Sequence, residues 1–222
     1  MQTTPVYIIS SPRPMVGKTL IARQLCEFLL LKNGEVAAFD VNLKEPSLLD
    51  YLPGITETAE IDDTFNKIAL MDRVIVNDGV AKVIDLGFHA FDEFFKMSEE
   101  IGFFKEAARR RVAPVVLFVA GADRASTRGY AMLQEKIPGN ALVSIENEYM
   151  VRGEMPKAMA QGQTLHVGAL PVFLRTYIDR LAFSFTGYLR EEQDSSTELH
   201  QWIRRNYLSF RELELSLILQ RS

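Results

Sequence analysis

Val6-Tyr7-Ile8-Ile9 is followed by Ser10-Ser11-Pro12-Arg13-Pro14-Met15-Val16-Gly17-Lys18-Thr19 and then by a helical stretch from Lys18 to Asn33. The first four residues are β-rich. In the helical stretch Ile21, Leu25, Phe28 and Leu29 recur at three and four residues, and Gly34 is placed to stop it. Gly-Lys-Thr at a strand-to-helix turn is the second half of a phosphate-binding loop. The lysine ammonium reaches β/γ-phosphates, the threonine hydroxyl ligates Mg²⁺, and the first helical N–H groups face the anion. The first half departs from that pattern. Pro12 stands where a glycine is wanted five residues before Gly17, and Pro12 and Pro14 have no N–H to offer a phosphate. A three-residue match also arises by chance at helix starts, so its weight comes from its place after the first strand.

Outward from the loop, strands and helices alternate. Val36 to Phe39 reads as a buried strand ending at Asp40, and Lys82-Val83-Ile84 as another ending at Asp85. Helical material from Phe88 to Arg111 leads to the strongest strand, Val115 to Ala120. A helix over 126–136 and strands over 141–145 and 164–167 follow, with helical character from Val172 onward. Continuous apolar strands separated by helices predict an α/β fold: a mostly parallel twisted sheet with helices on both faces. Arg73 to Asn77, with the turn Asn77-Asp78-Gly79, is expected to form an antiparallel hairpin arm. The polar stretch from Arg190 to Ser196 divides an α/β domain over 1–190 from a C-terminal helical extension over 191–222, expected to pack on the same domain.

With the loop and strands in place, the chain resembles the ParA/MinD family of phosphate-loop ATPases. The family's deviant loop reads Lys-Gly-Gly-x-Gly-Lys-Thr; here Arg13 stands at the early lysine, and Pro14-Met15 replace the glycine pair. Arg13 keeps the charge that in the family reaches a partner subunit's nucleotide, with a planar fork suited to phosphate. Asp40-Val41-Asn42-Leu43-Lys44-Glu45-Pro46-Ser47-Leu48 is similar to the family segment Asp-x-Asp-x-x-x-Pro-Ser-Leu. The resemblance implies that Asp40 lies near Mg²⁺ and that Asn42 holds the position that orients the attacking water. An amide cannot take that water's proton, so turnover is expected to be slow. Val83-Ile84-Asp85-Leu86-Gly87 matches the strand whose aspartate contacts the Mg²⁺ water shell. Asn147 falls where relatives carry an asparagine that reads the adenine edge, and Ala169-Leu170-Pro171 where they place a proline before a base-side loop.

The implied site therefore comprises Arg13, Lys18, Asp40 and Asn42 as catalytic residues. Met15, Val16, Gly17, Lys18, Thr19, Leu20 and Asn147 would bind nucleotide, and Thr19, Asp40 and Asp85 would hold the metal. ATP and Mg²⁺ are the implied cofactors and a homodimer the implied assembly, serving intracellular positioning, partition or division with a protein cargo or activator. Two alternatives stay open. One is a pseudo-ATPase scaffold on the same fold, motivated by Pro12, Pro14, Met15 and Asn42. The other is an ATP-dependent synthetase resembling dethiobiotin synthetase, whose Gly-Thr-containing turn is absent at Ser10-Ser11-Pro12.

Composition bounds these readings. The chain has 222 residues, 47% hydrophobic and 24% charged, as in ordinary globular domains. No apolar run approaches a membrane span, the N-terminus lacks a signal-like segment, and one cysteine, Cys26, excludes an internal disulfide; a cytoplasmic location is expected. Net charge of −4 argues against a globally electrostatic nucleic-acid binder. Arg109-Arg110-Arg111 is a local candidate for nonspecific DNA contact, set against simple stabilisation of a helix C-terminus. The phenylalanines at 88, 91, 94, 95, 103 and 104 read as helix packing rather than a partner surface, and His89 as a solvated loop residue. No zinc pattern is present. The last segment carries Leu213, Leu215, Leu217, Ile218 and Leu219, but Glu212 and Glu214 would repel anionic lipid. Packing on the body or a second subunit is expected there rather than membrane binding.

Overall fold

A computed structural model describes residues 3–41, 47–150, 154–192 and 194–219. In chain order the elements are β1 (Thr4–Ser10), α1 (Lys18–Asn33), β2 (Ala37–Val41), α2 (Leu48–Tyr51), β3 (Thr56–Thr58), α3 (Thr64–Val74) and β4 (Lys82–Leu86). A 3₁₀ turn over Phe88–Ala90 precedes α4 (Phe91–Glu100), α5 (Phe103–Arg109), β5 (Val112–Val119) and α6 (Arg124–Lys136). A second 3₁₀ turn, Gly139–Ala141, leads into β6 (Leu142–Asn147), α7 (Lys157–Ala160), β7 (Gln163–Val167), α8 (Val172–Ile178), α9 (Phe185–Glu191) and α10 (Glu198–Leu219).

The seven strands form one sheet in the order β3-β2-β4-β1-β5-β6-β7, and every described pairing is parallel. Successive residues of a strand face opposite sides, so a strand covered on both faces must be apolar throughout. In β1, Tyr7 and Ile9 join a core with Leu25 of α1 and Trp202 and Phe210 of α10. Val6 and Ile8 join the opposite core, with Phe94 of α4, Phe103 of α5 and Leu133 of α6. This explains why the strand reads as an unbroken apolar run.

α1 begins and ends on glycine in the left-handed region. Gly17 has φ 88°, and Gly34 has φ 82° with its N–H donated to Leu30 O at 2.9 Å. From Leu20 to Leu29 the helix is buried all round, because α9 and α10 cover the face turned away from the sheet, and its last turn is exposed. Arg23, buried on α1, donates to Ile178 O at 3.1 Å and stacks its guanidinium 3.7 Å from the Tyr51 ring, tying α8 and α2 to the helix. Leu199, Trp202, Ile203, Tyr207, Phe210, Leu213 and Leu217 give α10 an apolar face at three- and four-residue spacing, buried on the same core. Trp202 Nε1 donates to Gly168 O at 2.7 Å, and Lys32 bonds Glu214 at 2.7 Å. Leu215 points outward. Among the described residues no helix is long and apolar enough to cross a membrane.

Several expectations change. The antiparallel arm at 73–77 is absent: Arg73 and Val74 are the last turn of α3, Val74 is buried in the core, and the chain then enters β4 parallel to its neighbours. The helical material over 88–111 is divided, since Gly102 at φ 63° ends α4 and caps α5. Of its phenylalanines, 91, 94, 95 and 103 are buried, whereas Phe88 is exposed. β3 carries no apolar signal, being three residues long, and it forms the sheet's edge.

Candidate functional site

The loop over 11–17 leaves the carboxyl end of β1, which sits between β4 and β5. In an open parallel sheet, crevices at strand carboxyl ends are where ligands bind. Gly17 is the N-cap of α1 and supplies no side-chain oxygen, so the first N–H groups of the helix have no side-chain cap. They form an anion-favouring end of a long helix. The buried Lys18 brings its ammonium back over the loop to donate to Arg13 O at 2.8 Å.

Thr19 Oγ1 donates to Asp85 Oδ2 at 2.6 Å. Asp85 is fully buried and stands opposite Asp40, also fully buried, in the β2–β4 register. Asp40 Oδ2 accepts the Leu49 N–H at 3.1 Å, in the first turn of α2. The structure thus brings Lys18, Thr19, Asp40 and Asp85 to one end of the sheet. Asn42 lies outside the described residues, as do Lys44 to Pro46.

The other half of the loop leans on α6. Arg13 Nε lies 3.6 Å from Asp123 Oδ2. Asp123 caps α6, accepting the N–H groups of Ala125 at 2.9 Å and Ser126 at 3.1 Å and the Ser126 hydroxyl at 2.8 Å. Burial pushes the Asp123 carboxyl upward, but these hydrogen bonds and the Arg13 charge outweigh it and leave it below the usual carboxylate range. Pro12 approaches α6 where it has no side chain: a Cβ on Gly129 would stand 3.0 Å from Pro12 Cγ. Met15 holds φ 55° and is 76% exposed.

Asn147, at the end of β6, is buried, and its Nδ2 donates to Val16 O at 2.8 Å. A Cβ on Gly17 would lie 2.3 Å from that nitrogen and 3.0 Å from Met150 Cγ. Gly17 is therefore required twice, by its backbone angle and by the side chain lying over it. Sequence reasoning did not find Asp123, Gly129 or Met150. Asp123 was the most accessible of these, since Asp-Arg-Ala-Ser before a helical run is an N-cap pattern.

Other candidates lie apart. His89 is exposed in the turn after β4, edge-on to Phe88. The arginine cluster precedes β5, at the amino-terminal end of the strands and so at the opposite end of the sheet from the loop. Glu106 accepts two hydrogen bonds from Arg109 at 2.7 Å and one from Arg110 at 2.6 Å. These bonds pull its carboxyl down to about 2.

Among the described residues no group of three or more His, Cys, Asp or Glu side chains is arranged to hold a metal by itself. Thr19 and Asp85 nevertheless offer adjacent hard oxygens. Mg²⁺ is commonly held by one or two such protein groups, with phosphate and water completing the shell. No protein-family model matches the chain, and no curated protein sequence matches it.

Proposed function

We propose that this chain is a phosphate-loop protein resembling ParA/MinD: an ATP-binding switch that dimerises on Mg·ATP and hydrolyses it slowly, working in intracellular positioning, partition or division. The observation that carries the reading is the pairing of Thr19 with Asp85 at 2.6 Å, one residue after Lys18 at the uncapped start of α1. A chance Gly-Lys-Thr would have no reason to bring its hydroxyl onto a buried strand-end aspartate. Mg²⁺, when bound, would neutralise charge on the β- and γ-phosphates. Thr19 would bind it directly, and Asp85 and Asp40 would orient its waters. Lys18 would exchange Arg13 O for phosphate oxygens, and the N–H groups from Met15 to Leu20 would line the cradle. Arg13 would leave Asp123 to reach the nucleotide of a second copy. In this role it is a latent group, released by dimerisation.

Calorimetric titration with ATP and Mg²⁺, alongside Lys18→Ala, tests this. Saturable binding lost in the variant is expected; a folded wild-type protein that binds nothing, or a variant that binds as well, overturns it.

A second reading, a scaffold that has given up turnover, is favoured by Pro12 against Gly129 and Arg13 on Asp123, which engage the first half of the loop within the chain itself rather than with a second copy. The combined substitutions Pro14→Gly, Met15→Gly and Asn42→Asp discriminate. A large gain in ATP hydrolysis would mean these positions limit an otherwise competent site. For DNA contact through Arg109, Arg110 and Arg111, the bonds to Glu106 leave less free positive charge than the sequence counts.

A further inference from the structure

We infer that Asn147 is a positioning residue of the phosphate loop, acting on the polyphosphate part of a nucleotide and independently of its base. The inference rests on the nucleotide reading above and refines it, since a strand-end asparagine in that fold was expected to meet the base.

The amide already has an occupation. One of the two N–H groups on Asn147 Nδ2 donates to Val16 O at 2.8 Å, which holds the side chain against the loop before any base arrives. Asn147 also lines, with Gly121, Glu146 and Met155, a crevice that offers about 10 Å³, room for a single water. Its Oδ1 is buried with no hydrogen-bond partner among the described residues. That cost is tolerated where the rest of the side chain is needed.

Fixing Val16 O fixes the peptide that joins Val16 to Gly17, and so the direction of the Gly17 N–H. The same side chain lies against the α-carbon of Gly17 and holds it at φ 88°. Gly17 O in turn accepts the first bond of α1, from the Ile21 N–H at 3.1 Å. A carbonyl turned away by Asn147 is also one kept from facing phosphate oxygens. One side chain at the end of β6 thus orients the donors at the start of α1, and these meet phosphate whatever base is attached.

The experiment compares wild type with Asn147→Ala and Asn147→Asp. The aspartate variant is nearly isosteric, replaces the donor by a second acceptor facing Val16 O, and keeps the test available if the alanine variant does not fold. The first arm needs no ligand: exchange of the Ile21 amide should quicken about fivefold on losing one net hydrogen bond's worth of support. The second arm titrates Mg·ATP and Mg·tripolyphosphate. Both affinities should fall by the same factor, about fivefold for Asn147→Ala and more for Asn147→Asp. Unchanged Ile21 exchange overturns the inference, and so does a loss of ATP affinity with tripolyphosphate retained, the signature of a base reader. A wild type that binds neither ligand counts against the nucleotide reading alone, and the exchange arm then decides the positioning role.

Discussion

The two halves of the loop over 11–19 are held by different parts of the molecule. The second half is tied to the sheet: Val16 to Asn147 on β6 and Thr19 to Asp85 on β4. The first half is tied to a helix: Pro12 against Gly129 and Arg13 to Asp123, both on or at the cap of α6. Sheet anchors come from strand ends buried between two cores and are rigid. The helix anchors are a proline contact and an ion pair whose side chains are 49% and 38% exposed. Exposed pairs of this kind contribute little. A ligand that grips the second half would therefore meet a preformed cradle, while the first half is the part free to rearrange.

The contrast breaks most visibly at Gly17. An alanine there must hold a left-handed backbone, costing about 1–2 kcal/mol, and its Cβ must displace Asn147 from 2.3 Å. A loss of about 2–3 kcal/mol in denaturant unfolding is expected. A loss below about 0.5 kcal/mol would mean that the sheet-anchored half is not rigid.

Next in size is Thr19→Val, which keeps the shape and removes the donor to buried Asp85. Leaving a buried carboxylate short of one bond should cost about 1–2 kcal/mol without Mg·ATP, measured in the same way. Equal stability would show that the hydroxyl serves no structural purpose before ligand binding.

Met15→Gly addresses the other half. Met15 sits at φ 55° and its side chain is solvent-facing, so glycine relieves backbone strain and gives up little packing. A gain of up to about 1 kcal/mol is expected. A clear loss would mean that the exposed side chain holds the loop, contrary to the comparison.

How much of this was legible follows the same physics. β1, β4 and β5 are buried on both faces, so their apolar runs announce them, and the helix from Lys18 to Asn33 was read with its glycine stop in place. α3 was missed because its buried set is only Leu70, Met71 and Val74 in an acidic stretch, too few to set a period. β3 was missed because three residues at a sheet edge need no apolar pattern. The residue types of the site were visible, as were their strand-end positions. Their partners were not. Asn147 and Val16 are 131 residues apart, and nothing in either segment names the other. The chain folds the loop against β6 and α6 because β5 and β6 follow one another outward from β1 in the sheet, a fact of topology rather than of local pattern.

The smallest effect tests the weaker anchor. Asp123→Ala removes the cap of α6 and the partner of Arg13 together, and about 1 kcal/mol should be lost at neutral pH, most of it from the cap. The sign with pH follows from the depressed carboxyl. A group whose folded pKa lies below its unfolded value stabilises above the unfolded value, here 3.8, and loses that contribution as pH falls through the folded one. The difference between wild type and variant should stay level from about pH 5 to 8 and shrink below about pH 3.8. High salt should leave the part owed to the cap and remove the part owed to Arg13. Paired unfolding curves at several pH values and two salt concentrations read both. If salt alone abolished the difference, the exposed ion pair rather than the cap would be what holds the first half of the loop to α6, and the contrast between a sheet-bound and a loosely tethered half would have to be drawn from Pro12 alone.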